Sequence, residues 1–276
     1  MADQPIVQFE NVSVQFDSVV ALRDCSFTMR PGETRVILGA AGAGKTVLLK
    51  TTLGLYRPSA GRLLVFGQDV TRLPEKEWYD IRSKMGVLFQ EGGLFDSLTI
   101  EENVSYPLIN QRVARLDPHR DAAVIEERVR ESLRFVELEH TLEKFPSELS
   151  GGMRRRVGIA RAVVTSPPLE LYDSPTAGLD PITANNIVSL IVKERDSRNT
   201  ATMMVTHRYQ DGQLMANFRY NPGKGRLEKA SENGSGAKPI RTVFMVLNDG
   251  RVVFEGSQTE LEASQDPYLK KFVRQE

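Results

Sequence analysis

Cysteine occurs once in the 276 residues, as Cys25, which excludes an intrachain disulfide and suits a reducing compartment. Within Leu22-Arg23-Asp24-Cys25-Ser26-Phe27 a buried structural thiol is expected rather than a reactive one. An excess of either charge is also lacking: 36 Lys plus Arg balance 36 Asp plus Glu. A formal charge of zero argues against nucleic acid as the main partner, because phosphate-backbone binding needs a basic surplus. No run of about eighteen apolar residues is present, so no membrane-spanning helix is expected. Met1-Ala2-Asp3-Gln4-Pro5 has neither a basic region nor an apolar run and predicts no signal peptide. No internal repeat is visible. What the chain does have is 40% hydrophobic and 26% charged residues, enough to bury the core of one large α/β domain or two small ones.

Against this background Gly39-Ala40-Ala41-Gly42-Ala43-Gly44-Lys45-Thr46 stands out, with the Gly-x-x-x-x-Gly-Lys-[Ser/Thr] spacing of a P-loop. From average composition such a match arises by chance in roughly one chain in a hundred of this length. Its flanks reduce that chance: Arg35-Val36-Ile37-Leu38 reads as a buried strand and Val47-Leu48-Leu49 as the first turns of a helix. Backbone amides of residues 39–47 and the positive end of the helix dipole would then surround one concavity, the setting for a polyphosphate. Lys45 would reach the β- and γ-phosphates, and the Thr46 hydroxyl would ligate Mg²⁺.

The remaining pattern is α/β. Alternating segments at 6–9, 12–16 and 27–29 predict early strands; 63–66 and 86–90 predict two more. Gly54 suits the C-terminal cap of the P-loop helix. Residues 97–164 read as helical, opened by the capping box Thr99-Ile100-Glu101-Glu102, with an amphipathic helix over 121–136. Strands at 169–173 and 201–206, separated by a helix over 181–195, predict parallel pairing. Residues 221–240 are polar and glycine-rich and predict a mobile surface insertion. Segments 242–247 and 251–255 around Asn248-Asp249-Gly250 predict a hairpin.

Ser150-Gly151-Gly152-Met153 supplies a second anion site, with Ser150 as N-cap and free amides behind it. Alone it would be an ordinary cap. Together with the P-loop it resembles the signature motif of ABC-type ATPases, which closes over ATP held by a partner copy. The resemblance covers nearly the whole chain. Gln90 resembles the Q-loop glutamine that touches Mg²⁺, Asp173 the Walker B aspartate that holds it, and Ala177-Gly178-Leu179-Asp180 the D-loop at the dimer interface. Val205-Thr206-His207 resembles the H-loop, whose histidine contacts the γ-phosphate, and Phe16 sits where an aromatic stacks on adenine. Phe16 reads nearly as well as a core strand aromatic. The implied fold is a P-loop NTPase: a RecA-like core with a mixed sheet, an antiparallel β subdomain and a helical signature subdomain at about 91–164, with an insertion at about 208–241. The implied cofactors are ATP and Mg²⁺.

One residue departs from the pattern. Ser174 follows Asp173, where the family usually carries a glutamate that activates the attacking water. Serine is no carboxylate base near neutral pH. Slow hydrolysis, hydrolysis relying on His207 and Mg²⁺ polarisation, hydrolysis with a carboxylate borrowed from elsewhere, and a hydrolysis-impaired regulatory subunit therefore all stand at this point. Glu170 is a lesser oddity, expected as an edge-facing or salt-bridged carboxylate. Gly92-Gly93-Leu94-Phe95-Asp96-Ser97-Leu98-Thr99, Lys45-Thr46-Val47-Leu48-Leu49-Lys50 and Asp266-Pro267-Tyr268-Leu269-Lys270-Lys271-Phe272-Val273 resemble the ATPases of Mla/Mce-type lipid transporters. That resemblance implies a second copy, an integral permease, a lipid-binding Mce-type subunit and a place on the cytoplasmic face of the inner membrane. An ATPase acting on DNA or ribosomes is disfavoured by the single nucleotide unit, the zero net charge and the lack of a long coiled-coil insertion.

Overall fold

A computed structural model describes residues 4–90, 92–115, 122–230 and 241–273. In chain order the elements are β1 (Val7–Phe16), β2 (Val19–Met29), β3 (Thr34–Gly39), α1 (Lys45–Thr52), β4 (Ala60–Val65), β5 (Gln68–Asp69), α2 (Glu75–Arg82) and β6 (Met85–Leu88). Next come α3 (Ile100–Arg115), α4 (Ala122–Phe135), α5 (Gly151–Val163), β7 (Leu169–Asp173), α6 (Pro181–Arg198), β8 (Ala201–Val205) and α7 (Tyr209–Asn217). The chain closes with β9 (Phe218–Asn221), β10 (Arg226–Lys229), β11 (Thr242–Asn248), β12 (Arg251–Gly256), α8 (Gln258–Ala263) and α9 (Pro267–Val273).

The central sheet has the order β12-β11-β3-β8-β7-β6, parallel except for the β11–β12 hairpin. Every residue of β3, β7 and β8 is buried, as strands covered on both faces require, and their apolar content is high, although Arg35, Glu170 and Thr202 interrupt it. Successive side chains point to opposite faces. Val36, Tyr172 and Met204 therefore enter one core with α5 and α6, while Ile37, Leu171 and Met203 enter another with α1 and the second sheet. That second sheet, β2-β1-β4-β5, is antiparallel. The fold is the P-loop NTPase architecture that the sequence implies.

Local rules place the helices. The Thr99–Glu102 capping box forms, with Thr99 N donating to Glu102 Oε2 at 2.7 Å and Glu102 N donating to Thr99 Oγ1 at 3.2 Å. The helix expected over 121–136 is α4, Ala122–Phe135; Asp121 lies outside the described residues. Gly158 lets α5 lie against β6 and the loop after it: a Cβ there would stand 2.5 Å from Leu88 Cδ1 and 3.1 Å from Gly92 O.

Two expectations are corrected. The first half of the 221–240 segment is no mobile insertion, because β9 and β10 form a hairpin docked on α6. The buried Arg195 donates to Phe218 O at 3.0 Å and to Met215 O, and Tyr220 N donates to Asp196 Oδ2 at 2.8 Å. Residues 231–240 lie outside the described residues. Glu170 does not face an edge: it is fully buried in β7 and accepts from Tyr172 Oη at 2.8 Å. Burial, with Glu194 as a second carboxyl on α6, pushes its pKa up to about 8.

Candidate nucleotide site

Residues 39–46 connect the C-terminal end of β3 to α1. Gly44, at φ 99°, occupies the position before α1, and a Cβ there would lie 2.6 Å from Ala21 O. Only glycine fits so close to the β2 backbone in that conformation. No side chain caps the N-terminus of α1 and no acidic residue lies in its first turn, so its amides face the concavity unopposed. Lys45 Nζ donates to Gly39 O and to Ala40 O, each at 2.8 Å. Burial lowers the pKa of that ammonium, and Asp173 partly restores it. The lysine thus carries a half-buried charge held by two carbonyls, with Asp173 nearby.

Asp173 ends β7 beside this loop and is almost wholly buried. Its Oδ1 accepts from Thr46 Oγ1 at 3.2 Å and from Ser174 Oγ at 3.1 Å. Ser174 adopts a left-handed conformation, φ 50°, with its amide bonded to Val205 O at 2.8 Å. Lys45, Thr46, Asp173 and Ser174 therefore form one cluster. No group of three or more His, Cys, Asp or Glu side chains able to hold a metal ion exists among the described residues. The hard oxygen donors Thr46 and Asp173 nevertheless fit Mg²⁺, which ordinarily keeps water and phosphate ligands beside one or two protein groups.

The other predicted residues stand at the ends of neighbouring elements. Gln90, exposed just past β6, shares a cleft of about 600 Å³ with Gly151, Arg154, Ala177 and Gly178. His207, exposed just past β8, lines an adjoining cleft with Thr176, Gly178 and Asn185. Ser150 caps α5, accepting from Met153 N at 3.3 Å. A Cβ on Gly152 would stand 2.9 Å from Thr183 Cγ2, an internal reason for glycine, whereas one on Gly151 would meet nothing closer than Arg154 Nη2 at 3.9 Å. Phe16 is 39% exposed and leans edge-on against Tyr56, ring centroids 4.8 Å apart, with Lys50 of α1 over the Tyr56 ring. Asp180 is the N-cap of α6, accepting from Ile182 N and Thr183 N at 3.0 Å each.

Sequence reasoning missed three supports. Buried Asp211 accepts from Thr176 Oγ1 at 2.5 Å and from Thr206 Oγ1 at 2.7 Å, tying the loop after Asp173 to the residue before His207. Arg161 Nη2 donates to Gly92 O at 3.0 Å and to Gly93 O at 2.8 Å, holding the loop after Gln90. Tyr268, on α9, touches the phosphate loop itself. Each joins segments distant in sequence, and no local pattern marks such a contact.

A phosphate loop on a parallel sheet, a carboxylate on the neighbouring strand and a glycine-rich helix start on a helical subdomain define an ATP-binding cassette. The ABC transporter family profile matches residues 22–177, and the chain belongs to that family. It is 30% identical over 274 residues to the intermembrane phospholipid transport system ATP-binding protein MlaF of Haemophilus influenzae, covering 99% of this chain and 92% of that protein. It is also 38% identical over 206 residues to the methionine import ATP-binding protein MetN 1 of Bacillus thuringiensis subsp. konkukian. That match takes in 73% of this chain but only 59% of the relative. Among solved structures, a dimeric ATP-binding cassette in a post-hydrolysis state with ADP and Pi superposes with a TM-score of 0.75 at 27% identity, over 91% of this chain and 98% of that one. The cbiO1 subunit of an ABC transporter complex from Clostridium perfringens gives 0.75 at 25% identity, over 99% and 96%. Among the described residues no helix is long and apolar enough to cross a membrane.

Proposed function

We propose that this chain is the ATPase subunit of an ABC transporter of phospholipids or other hydrophobic molecules, working with a separate permease at the cytoplasmic face of a membrane. The observation that carries the nucleotide assignment is the cluster of Lys45, Thr46 and Asp173 at the uncapped start of α1. Lys45 would leave Gly39 O and Ala40 O for the β- and γ-phosphates. Thr46 and Asp173 would hold Mg²⁺, which neutralises charge on the phosphate oxygens. Phe16 would offer its exposed face to the adenine. Gln90 would border the metal, and His207 would face the γ-phosphate.

The site is half-built in one copy. Among the described residues a Cβ at Gly151 would meet nothing closer than Arg154 Nη2 at 3.9 Å, so a bare backbone there would suit close approach by another molecule. A second copy fits: Ser150, Gly151 and Gly152 would close over ATP held by the partner's loop, with Asp180 and its neighbours at the interface. The dimeric solved cassette supports this arrangement. Closure would reach the permease through the groove lined by Tyr79, Phe95 and Tyr106 beside Gln90. The lipid assignment rests on the near full-length likeness to MlaF, against the shorter MetN match. A lipid-binding Mce-type subunit would complete the assembly.

Nucleotide titration tests the site: Lys45→Ala is expected to remove most ATP affinity, and unchanged affinity would overturn it. Purification of the intact complex with identification of its bound small molecules tests the cargo. Phospholipid is expected, and an amino acid in its place would favour the methionine-import likeness.

A further inference from the structure

Beside the phosphate loop lies a contact that the nucleotide reading leaves unused. Tyr268 on α9 donates its hydroxyl to Leu247 O at 2.9 Å and accepts from Ala40 N at 3.3 Å. Leu247 pairs with Gly39 in the β11–β3 ladder, and a Cβ at Gly39 would stand only 2.7 Å from Leu247 O. Gly39 and Ala40 are also the residues whose carbonyls hold Lys45 Nζ. One phenol therefore fastens both strands at the point where β3 leaves the sheet and turns into the loop.

The tyrosine is itself well placed. Asp266 Oδ1 accepts from Tyr268 N at 2.7 Å and from Leu269 N at 3.3 Å, fixing the start of α9. Leu269 and Phe272 are buried in the core with Tyr209 and Phe244, and Phe272 meets the Tyr268 ring edge-on at 5.2 Å. The ring is thus held by packing and the hydroxyl by polar contacts, so the two contributions separate in a Tyr→Phe substitution.

We propose that Tyr268 is a positioning residue for nucleotide, holding the entrance of the phosphate loop, through Ala40 and Leu247, in the form that receives the polyphosphate. The proposal rests on the nucleotide reading above. Without the hydroxyl, Ala40 N loses its partner, and the turn that carries Lys45 gains conformations that ATP must select against.

The test is Mg²⁺–ATP and Mg²⁺–ADP titration of the full chain as wild type, Tyr268→Phe and Leu269→Ala, with melting temperatures alongside. Tyr268→Phe is expected to weaken both nucleotides by about 3- to 10-fold, the effect of one or two lost hydrogen bonds, with melting shifted by no more than a few degrees. Leu269→Ala, which strips core packing and spares the hydroxyl, is expected to lower the melting temperature more and affinity less. Unchanged nucleotide affinity in Tyr268→Phe overturns the proposal. So does an equal loss in Leu269→Ala, which would assign the effect to α9 packing in general. A wild type that binds no nucleotide would instead defeat the nucleotide reading itself.

Discussion

Glu170 stands in the core of the sheet, where a carboxylate has no water and a second carboxyl, Glu194, nearby. Burial raises the pKa of both, Arg198 opposing the shift at Glu194 through an ion pair of 2.9 Å. A folded value of about 8 against an ordinary 4.5 means that the folded state holds this proton more tightly. Stability is then fully present below about pH 4.5 and lost progressively as pH rises through about 8. Glu170→Gln should flatten that slope and raise stability at pH 8 by on the order of a few kcal/mol, read from denaturant melts across pH. An unchanged slope would mean that Glu194 carries the proton. A second residue-scale prediction concerns Ser174, which donates to Asp173 and supplies no base. Ser174→Glu should raise turnover up to about 10²-fold with little change in ATP affinity, because a base acts in the transition state. Fast wild-type hydrolysis with no gain in the variant would show that other groups suffice. The sequence made Ser174 visible because its motif is contiguous. It misjudged Glu170 because Glu194 and Arg198 lie on α6, more than twenty residues away.

At the scale of elements, local rules proved dependable where caps, glycines and periodicity agree. The capping box at Thr99, the Ser150 cap and the Asp249-Gly250 hairpin each form as their residues direct. The segment after α7 was read from its composition, and there composition misled. Its glycines and lysines mark the turn of the β9–β10 hairpin, while the docking groups belong to α6. Arg195 is the key to that docking: buried, it bonds Met215 O and Phe218 O and pairs with Asp196 at 2.8 Å. Arg195→Ala should cost roughly 3–5 kcal/mol of stability, since it takes the counter-charge from Asp196, which keeps the Tyr220 amide, and a buried donor from two carbonyls. A thermal shift of only a degree or two would show the hairpin to be dispensable.

For the whole molecule, topology gathers in one region what the sequence scatters over some 230 residues. Parallel neighbours β3, β7 and β8 bring the ends carrying Lys45, Asp173 and His207 to one edge of the sheet, where open α/β sheets bind ligands. The motifs were legible individually because each is short and contiguous; the links among them, through Asp211, Arg161 and Tyr268, exist only in three dimensions. The central claim is that the cassette is completed by a second copy over bound ATP. Light scattering of the wild-type chain with and without ATP and Mg²⁺ measures it directly, with Gly151→Val as the comparison. The account predicts a monomer that becomes a dimer on adding ATP, and a Gly151→Val chain that binds ATP yet stays monomeric. A wild type that stays monomeric at saturating ATP, even with its permease present, would contradict it.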